Sequence, residues 1–417
     1  SRGLGDVYKR QAECYAPNTA SRILDNNGKI VDIVNNYSKI SFNFGPTLLS
    51  WMEKHNPDTY KAILAADRES MKNFSGHGSA MAQCYNHIIM PLANTRDKIT
   101  QIVWGIADFE SRFGRKPEGM WLPETAVDYE TLDILAQHGI SFVILSPYQV
   151  KAVRKKGVEE WTDAEGGKVD PKRAYDCPLP SGKNIAVFFY DGPVSNDIAF
   201  SELLKNGINF AGRLVSLFDD TYKEAQMVNI ASDGETYGNH HKFGDMSLAY
   251  CLYEIEFNHP AHITIYPEFL EKYPPKYEAQ ISENTAWSCA HGVGRWKDDC
   301  GCKTGLNGSW NQKWRKPLRE TFDFLREELG KYFEAESKKI LKDPWQARND
   351  YISVILNRRD ENLNNFYGSN SIRNLTSAEK TRVILLMEMQ RYAMLMYTSC
   401  GWFFDEISGI ETVQVIQ

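Results

Sequence analysis

Along the chain, short apolar runs alternate with stretches of helical period. Residues 39–44 (KISFNF) form a brief β-like run, and a helical pattern starts at 46–51 and resumes at 58–70. Residues 97–113 are amphipathic, with Ile99, Ile102, Val103, Ile106 and Phe109 close to the helical repeat. A strand-like run follows at 119–122, then a helix at 129–138 closed by Gly139 as a C-cap. The continuous apolar runs 141–145 (SFVIL) and 185–190 (IAVFFY) predict strands buried on both faces. Between them, residues 151–184 are charged and rich in Gly and Pro, which predicts an excursion or hairpin insert. Residues 196–218 read as helix broken near Gly207, 227–231 (MVNIA) as strand, 247–257 as helix and 262–266 (HITIY) as strand. Strands alternating with helices imply a parallel sheet, open or closed into a barrel. After about residue 275 the pattern becomes helical, with long stretches at 314–341, 345–356 and 378–398.

Composition narrows the class. The chain of 417 residues is long enough for one large domain with an appendage or for two to three ordinary ones. A net charge of -6 with no long run of one sign argues against a nucleic-acid partner, which needs a concentrated basic surface. No apolar stretch reaches the length of a bilayer span, so no membrane partner is expected. The eight cysteines are scattered apart from one cluster at 289–302, and in a chain this large they read as reduced thiols of a cytoplasmic protein.

Three polar knots fall where strands should end, the place where parallel α/β folds gather their sites. The first is Gly119-Met120-Trp121-Leu122-Pro123-Glu124. An indole offers an apolar face to the CH face of a pyranose, and the Glu sits where strand gives way to loop. A buried Trp with a solvated Glu would look the same. The second is the run Ser232 to His241 (SDGETYGNHH), with two acids, two imidazoles and two glycines in one loop. Ser232 and Glu235 fit a capping box, but the apolar run of a following helix is missing. The third runs from His77 to Pro91, where His87 is a candidate for substrate hydroxyls and His77 reads as structural. Two carboxylates from different strand ends meet the need of glycoside hydrolysis for a nucleophile or base and an acid. Spacing does not assign which carboxylate does which.

Together these segments resemble glycoside hydrolase family 57. Ser232 to His241 resembles its fourth sequence region, MWLPETAVD at 120–128 its third, and 77–91 its second. SFNFGP at 41–46 and Ala66-Asp67-Arg68 match one branch, while residues 284–302 and 400–413 look like the helical part of a poorly characterised bacterial branch. The resemblance runs from about residue 39 to the end. It implies an α/β fold, an incomplete (β/α)7 barrel at 12–275 with the insert 151–184, followed by a mainly α-helical bundle at 276–417. It implies a retaining reaction on α-glucan, with Glu124 as nucleophile and Asp233 as acid/base, no cofactor and no metal. Retention predicts carboxyl groups about 5–5.5 Å apart, and the acid should hold its proton near neutral pH. Trp121, His87, Glu235, His240, Trp287, His291 and Trp296 are the implied substrate-binding residues.

The resemblance also bears on the ends. Asp6-Val7-Tyr8-Lys9-Arg10-Gln11 resembles the translated end sequence of transposon-based sequencing libraries, so residues 1–11 are read as an adapter remnant. The His-Gln-Pro of the family's first region is absent, and residues 406–417 stop within an apolar pattern, so a fragment shortened at both ends is expected. Two rival readings stay open: a metal-dependent polysaccharide deacetylase, and a non-catalytic glucan-binding protein. This chain lacks the deacetylase's usual pair of histidines four apart on one helix face; His259 and His262 are three apart. Cys289, His291, Cys300 and Cys302 supply enough soft ligands for zinc, but their spacing is not that of a usual finger or ribbon, and reduced thiols are the expectation.

Overall fold

The computed structural model describes residues 2–25, 27–305 and 307–417. The chain divides into two compact units: Ser1–Ala82 with Pro117–Trp121 and Ile140–Ser282, and Gln83–Lys116 with Leu122–Gly139 and Glu283–Gln417.

The first unit is of the β/α-barrel type, built on a mixed sheet. Phe142–Leu145 and Asn184–Phe189 pair in parallel, with Phe142 opposite Ala186 and Leu145 opposite Phe189. Both strands are apolar throughout their paired length because both faces are covered, and Val143, Leu145, Val187 and Phe188 are wholly buried. Short parallel segments extend the series on one side: Gly119 bridges Phe142, Ala82 donates its N–H to the Gly119 carbonyl at 3.1 Å, and Phe42 bridges Ala80. Helices Gly192–Phe200, Gly207–Val215 and Gly244–Asn258 pack their apolar sides around Ile198, Phe210, Leu248 and Cys251.

The charged stretch 151–184 is more ordered than an excursion. Its strands Val150–Lys155, Thr162–Asp163 and Ala174–Pro178 join one six-stranded mixed sheet with Phe142–Leu145, Asn184–Phe189 and Tyr277–Ile281. Two expected strands are not strands. At 227–231 no ladder forms: the Met227 N–H goes to the Lys172 carbonyl at 2.9 Å, the Asn229 carbonyl accepts from the Asp191 N–H at 2.8 Å, and the Ala231 N–H goes to the Ser195 hydroxyl at 3.1 Å. At 262–266 the run ends in the helix Tyr266–Lys272, which Pro267 opens and whose Glu268 takes the Thr264 hydroxyl at 2.7 Å. Both runs are apolar because Met227, Ile265 and Tyr266 are buried, and burial alone does not make a ladder.

The second unit is a helical bundle. Thr95–Phe113, Arg315–Ser337, Pro344–Asp350, Ile352–Leu356 and Ser377–Leu395 enclose a core of Trp104, Phe333, Tyr351, Val383 and Met387. The helix starts follow local chemistry: Asn94 accepts from the Asp97 N–H, and Thr376 with Glu379 forms a reciprocal capping box. A buried ion pair, Arg348 to Asp97 at 2.8 Å with Gln390 as a further acceptor, ties three of these helices. No helix among the described residues is long and apolar enough to cross a membrane.

Candidate active site

Glu124 lies in the second unit, in the short 3-10 turn Pro123–Thr125. Two successive residues there take the left-handed backbone region, Glu124 at φ 57 and Thr125 at φ 52. Neither is glycine and Thr is β-branched, so the turn is strained and must be held by its surroundings. The holding groups come from residues 285–288. The Trp287 N–H donates to the Glu124 carbonyl at 3.0 Å and to the Thr125 hydroxyl oxygen at 3.1 Å. Val127 bridges Thr285 just beyond.

The same segment grips the carboxylate. Trp287 Nε1 donates to Glu124 Oε2 at 2.9 Å, and the Ser288 hydroxyl donates to that oxygen at 2.6 Å. Hydrogen bonds to a charged group are worth about 1.5–3 kcal/mol each. They fix the orientation of the half-buried carboxylate and concentrate donors on one of its oxygens. Ser288→Ala should therefore leave KM nearly unchanged and lower kcat by about tenfold or more. Steady-state kinetics with a circular-dichroism check of folding reads this, and an unchanged kcat would mean that the contact does not serve the reaction.

His87 also has a left-handed backbone, φ 54. Its Nδ1 lies 2.6 Å from the buried Ser399 hydroxyl, whose own N–H donates to the His87 carbonyl at 2.9 Å. Burial lowers the His87 pKa against the opposing pull of the Glu124 charge, so the imidazole is neutral at pH 7. Trp287 is half-buried with its indole N–H committed to Glu124. His291 is exposed and its Nδ1 sits 3.4 Å from Cys302 Sγ, within a cluster of Cys289, His291, Cys300 and Cys302. Trp296 corrects an expectation. At 1% exposure, packed against Phe403, it has no open face for a sugar and belongs to the core.

Asp233 and its loop lie in the first unit. Asp233 is exposed at the start of the 3-10 turn Gly234–Thr236, and Trp121, half-buried, closes the strand Met120–Trp121 in the same unit. The loop is braced by residues 10–18. Cys14 Sγ donates to the Gly234 carbonyl at 3.2 Å, Asn18 Nδ2 to the Tyr237 carbonyl at 2.8 Å, and Asn239 Nδ2 to Glu13 at 2.8 Å. Gly238 is required here: it has φ +145, and a Cβ would stand 2.1 Å from the Glu13 carbonyl oxygen. Glu235 turns onto this brace, taking the Tyr15 hydroxyl and, at 3.4 Å, Arg10. Burial and the Glu235 charge together push the Tyr15 phenol up, so it stays a donor. His240 is exposed; partial burial lowers its pKa, with Glu235 opposing. His77 stands apart, bridging Glu118 at 2.8 Å and Glu271 at 3.0 Å, as a structural histidine should.

Ser288, Thr125, Ser399 and the brace at 10–18 are not marked as site residues by any motif in the sequence. Only Ser288 carried a usable signal, through its place directly after Trp287.

The family model described as glycosyl hydrolase family 57 matches residues 7–282, and a model described as a domain of unknown function (DUF3536) matches 310–417. A curated relative, alpha-amylase 1 of Dictyoglomus thermophilum, is 28% identical over 107 residues, 25% of this chain and 15% of that protein. Among solved structures, an exo-type maltose-forming amylase from Pyrococcus sp. ST04 superposes with TM-score 0.64 at 17% identity, covering 89% of this chain and 64% of the amylase. A GH57-type branching enzyme from Pyrococcus horikoshii gives TM-score 0.58 at 16% identity, covering 98% and 81%. At these identities the structures share the fold. The chain spans less than two thirds of the curated relative and of the maltose-forming amylase.

Proposed function

The chain belongs to glycosyl hydrolase family 57, and from that premise we propose that it cleaves or transfers α-linked glucan with retention, using Glu124 as nucleophile and Asp233 as acid/base. The observation that carries this reading is the hold on Glu124. A strained left-handed turn and two converging donors are costly to maintain for a carboxylate with no task. The donors share Oε2, which leaves Oε1 to attack the anomeric carbon.

The proposed reaction has two displacements. Glu124 forms a bond to the anomeric carbon as the glycosidic C–O bond breaks, and the leaving oxygen takes the Asp233 proton. Asp233 then removes a proton from water or from a sugar hydroxyl, whose oxygen displaces Glu124. Water gives hydrolysis and a sugar hydroxyl gives transfer. Neutral His87 suits a hydrogen-bonding role toward a sugar hydroxyl or toward Glu124, and Trp121 and Trp287 are the aromatic surfaces retained for the sugar rings. The choice of α-glucan rests on the amylase and branching activities in the names of the relatives.

The test is incubation of the folded protein with maltooligosaccharides and starch, with products separated by chromatography and the first-formed anomer read by proton NMR. New chain lengths with the α-anomer first are expected. A β-anomer first would refute the double displacement, and the absence of turnover by a folded chain would refute the α-glucan reading.

A further inference from the structure

We propose that Cys289, His291, Cys300 and Cys302 form a closed structural zinc site that anchors the segment gripping Glu124. The existence of the site does not depend on the reaction proposed above. The ligand atoms of all four residues lie within 4.8 Å of one another. Zinc takes thiolate sulfur at about 2.3 Å and imidazole nitrogen at about 2.0–2.1 Å in a tetrahedron, which places sulfurs about 3.8 Å apart and sulfur about 3.5 Å from nitrogen. Cys289 Sγ to Cys302 Sγ is 3.8 Å, and Cys302 Sγ to His291 Nδ1 is 3.4 Å. A disulfide would use two of the three sulfurs and leave the imidazole without purpose. Three cysteines and one histidine are a complete ligand set for zinc.

Cys-x-His and Cys-x-Cys, eight residues apart, match no usual finger, and spacing alone therefore points to reduced thiols. The fold supplies what the spacing does not. The first pair sits on a turn closed at Gly292, with φ +72, where a Cβ would stand 2.4 Å from the Asn284 carbonyl oxygen. Gly294 lets the second pair approach, since a Cβ there would stand 3.0 Å from Cys300 Cβ and 3.5 Å from His291 Cβ. Charge also agrees. Zinc with three thiolates carries a net charge of about -1. The wholly buried Arg315 lies beside it, donating to the carbonyls of Cys302 at 3.4 Å and of Phe403 and Phe404 at 3.0 Å.

The site has a clear consequence. Cys289 directly follows Trp287 and Ser288, the two donors to Glu124. An ion at Cys289 fixes one end of that segment, and four protein ligands leave no position open for catalysis by the metal.

The experiment uses the full chain expressed with added zinc and dialysed against metal-free buffer. Elemental analysis should find roughly one zinc per chain. Cobalt(II) exchanged into the site should give the intense visible bands of a tetrahedral centre, with near-ultraviolet sulfur-to-metal charge transfer. Cys300→Ser should lower zinc retention about tenfold or more, and removal by a strong chelator should lower the melting temperature by about 5 °C or more. Less than about a tenth of a zinc per chain, or a non-reduced mass lighter by two hydrogens, would overturn the proposal. If Cys300→Ser does not fold, the cobalt spectrum of the unmodified chain decides: an octahedral spectrum without charge transfer overturns it.

Discussion

Glu124→Gln should reduce turnover of maltooligosaccharides by about 10⁴-fold or more while leaving their binding within a few-fold of the original. An amide nitrogen and a neutral carbonyl oxygen are far poorer nucleophiles than a carboxylate, and loss of a nucleophile in a covalent mechanism removes most of the rate enhancement. The amide keeps the shape of the side chain, and its carbonyl oxygen can still accept from Trp287 Nε1 and the Ser288 hydroxyl. The strained turn should therefore persist, and the melting temperature should stay close to that of the parent. Binding is measured by calorimetry and turnover by chromatography. A variant that folds, binds and still turns over at more than about a tenth of the parent rate would remove Glu124 from the nucleophile's role. Equal loss of binding and turnover would point instead to a residue that only positions the sugar.

Much of this arrangement was legible in the sequence, and the remainder shares a physical cause. The helix Thr95–Phe113 could be read because its apolar positions repeat at helical spacing, but its burial could not: no residue from Asp97 to Glu110 is exposed, and Lys98, Gln101 and Asp108 are buried with Trp104. The strands Phe142–Leu145 and Asn184–Phe189 could be read because burial on both faces leaves an unbroken apolar run. The same rule misread 227–231 and 262–266, where burial comes without a ladder. The loop 232–241 announced itself by crowding charge and imidazole after an apolar run. Its brace did not: Cys14 to Gly234 and Asn18 to Tyr237 join residues more than two hundred positions apart, and no local period encodes such a contact. Glu124 was legible as a candidate, but its left-handed backbone was not, because Pro123-Glu124-Thr125 contains no glycine to mark a positive φ. Trp296 was misplaced for a related reason: an indole buried against Phe403 and an indole open to a sugar are the same letter. Ser288 and Ser399 were missed because serine is common and its hydroxyl gains meaning only from what lies opposite.

Asp233→Asn tests the other half of the pair and has a sharper signature. The acid/base residue takes part twice, once giving a proton to the leaving oxygen and once taking one from the incoming hydroxyl. A maltooligosaccharide leaving group is a poor alkoxide and needs that proton, so turnover of the natural linkage should fall by about 10²–10⁴-fold. A maltosyl donor with an acidic nitrophenol leaving group needs no proton. Its first displacement should proceed, and the glycosyl-enzyme should then accumulate, because water is no longer activated. The expected record is a burst of nitrophenol about equal to the enzyme concentration, followed by slow release. Azide, which attacks without a base, should restore the steady rate and yield glycosyl azide. Asp233 is exposed at the mouth of a tight turn, and Gly234–Thr236 is held through Cys14 and the Gly234 carbonyl, so the amide should not unsettle the loop. The same donor and azide applied to Glu124→Gln should give no burst. Should the burst and the azide rescue appear in Glu124→Gln and be missing from Asp233→Asn, the two roles would have to be exchanged. Their absence from both variants would mean that no covalent intermediate forms on either carboxylate.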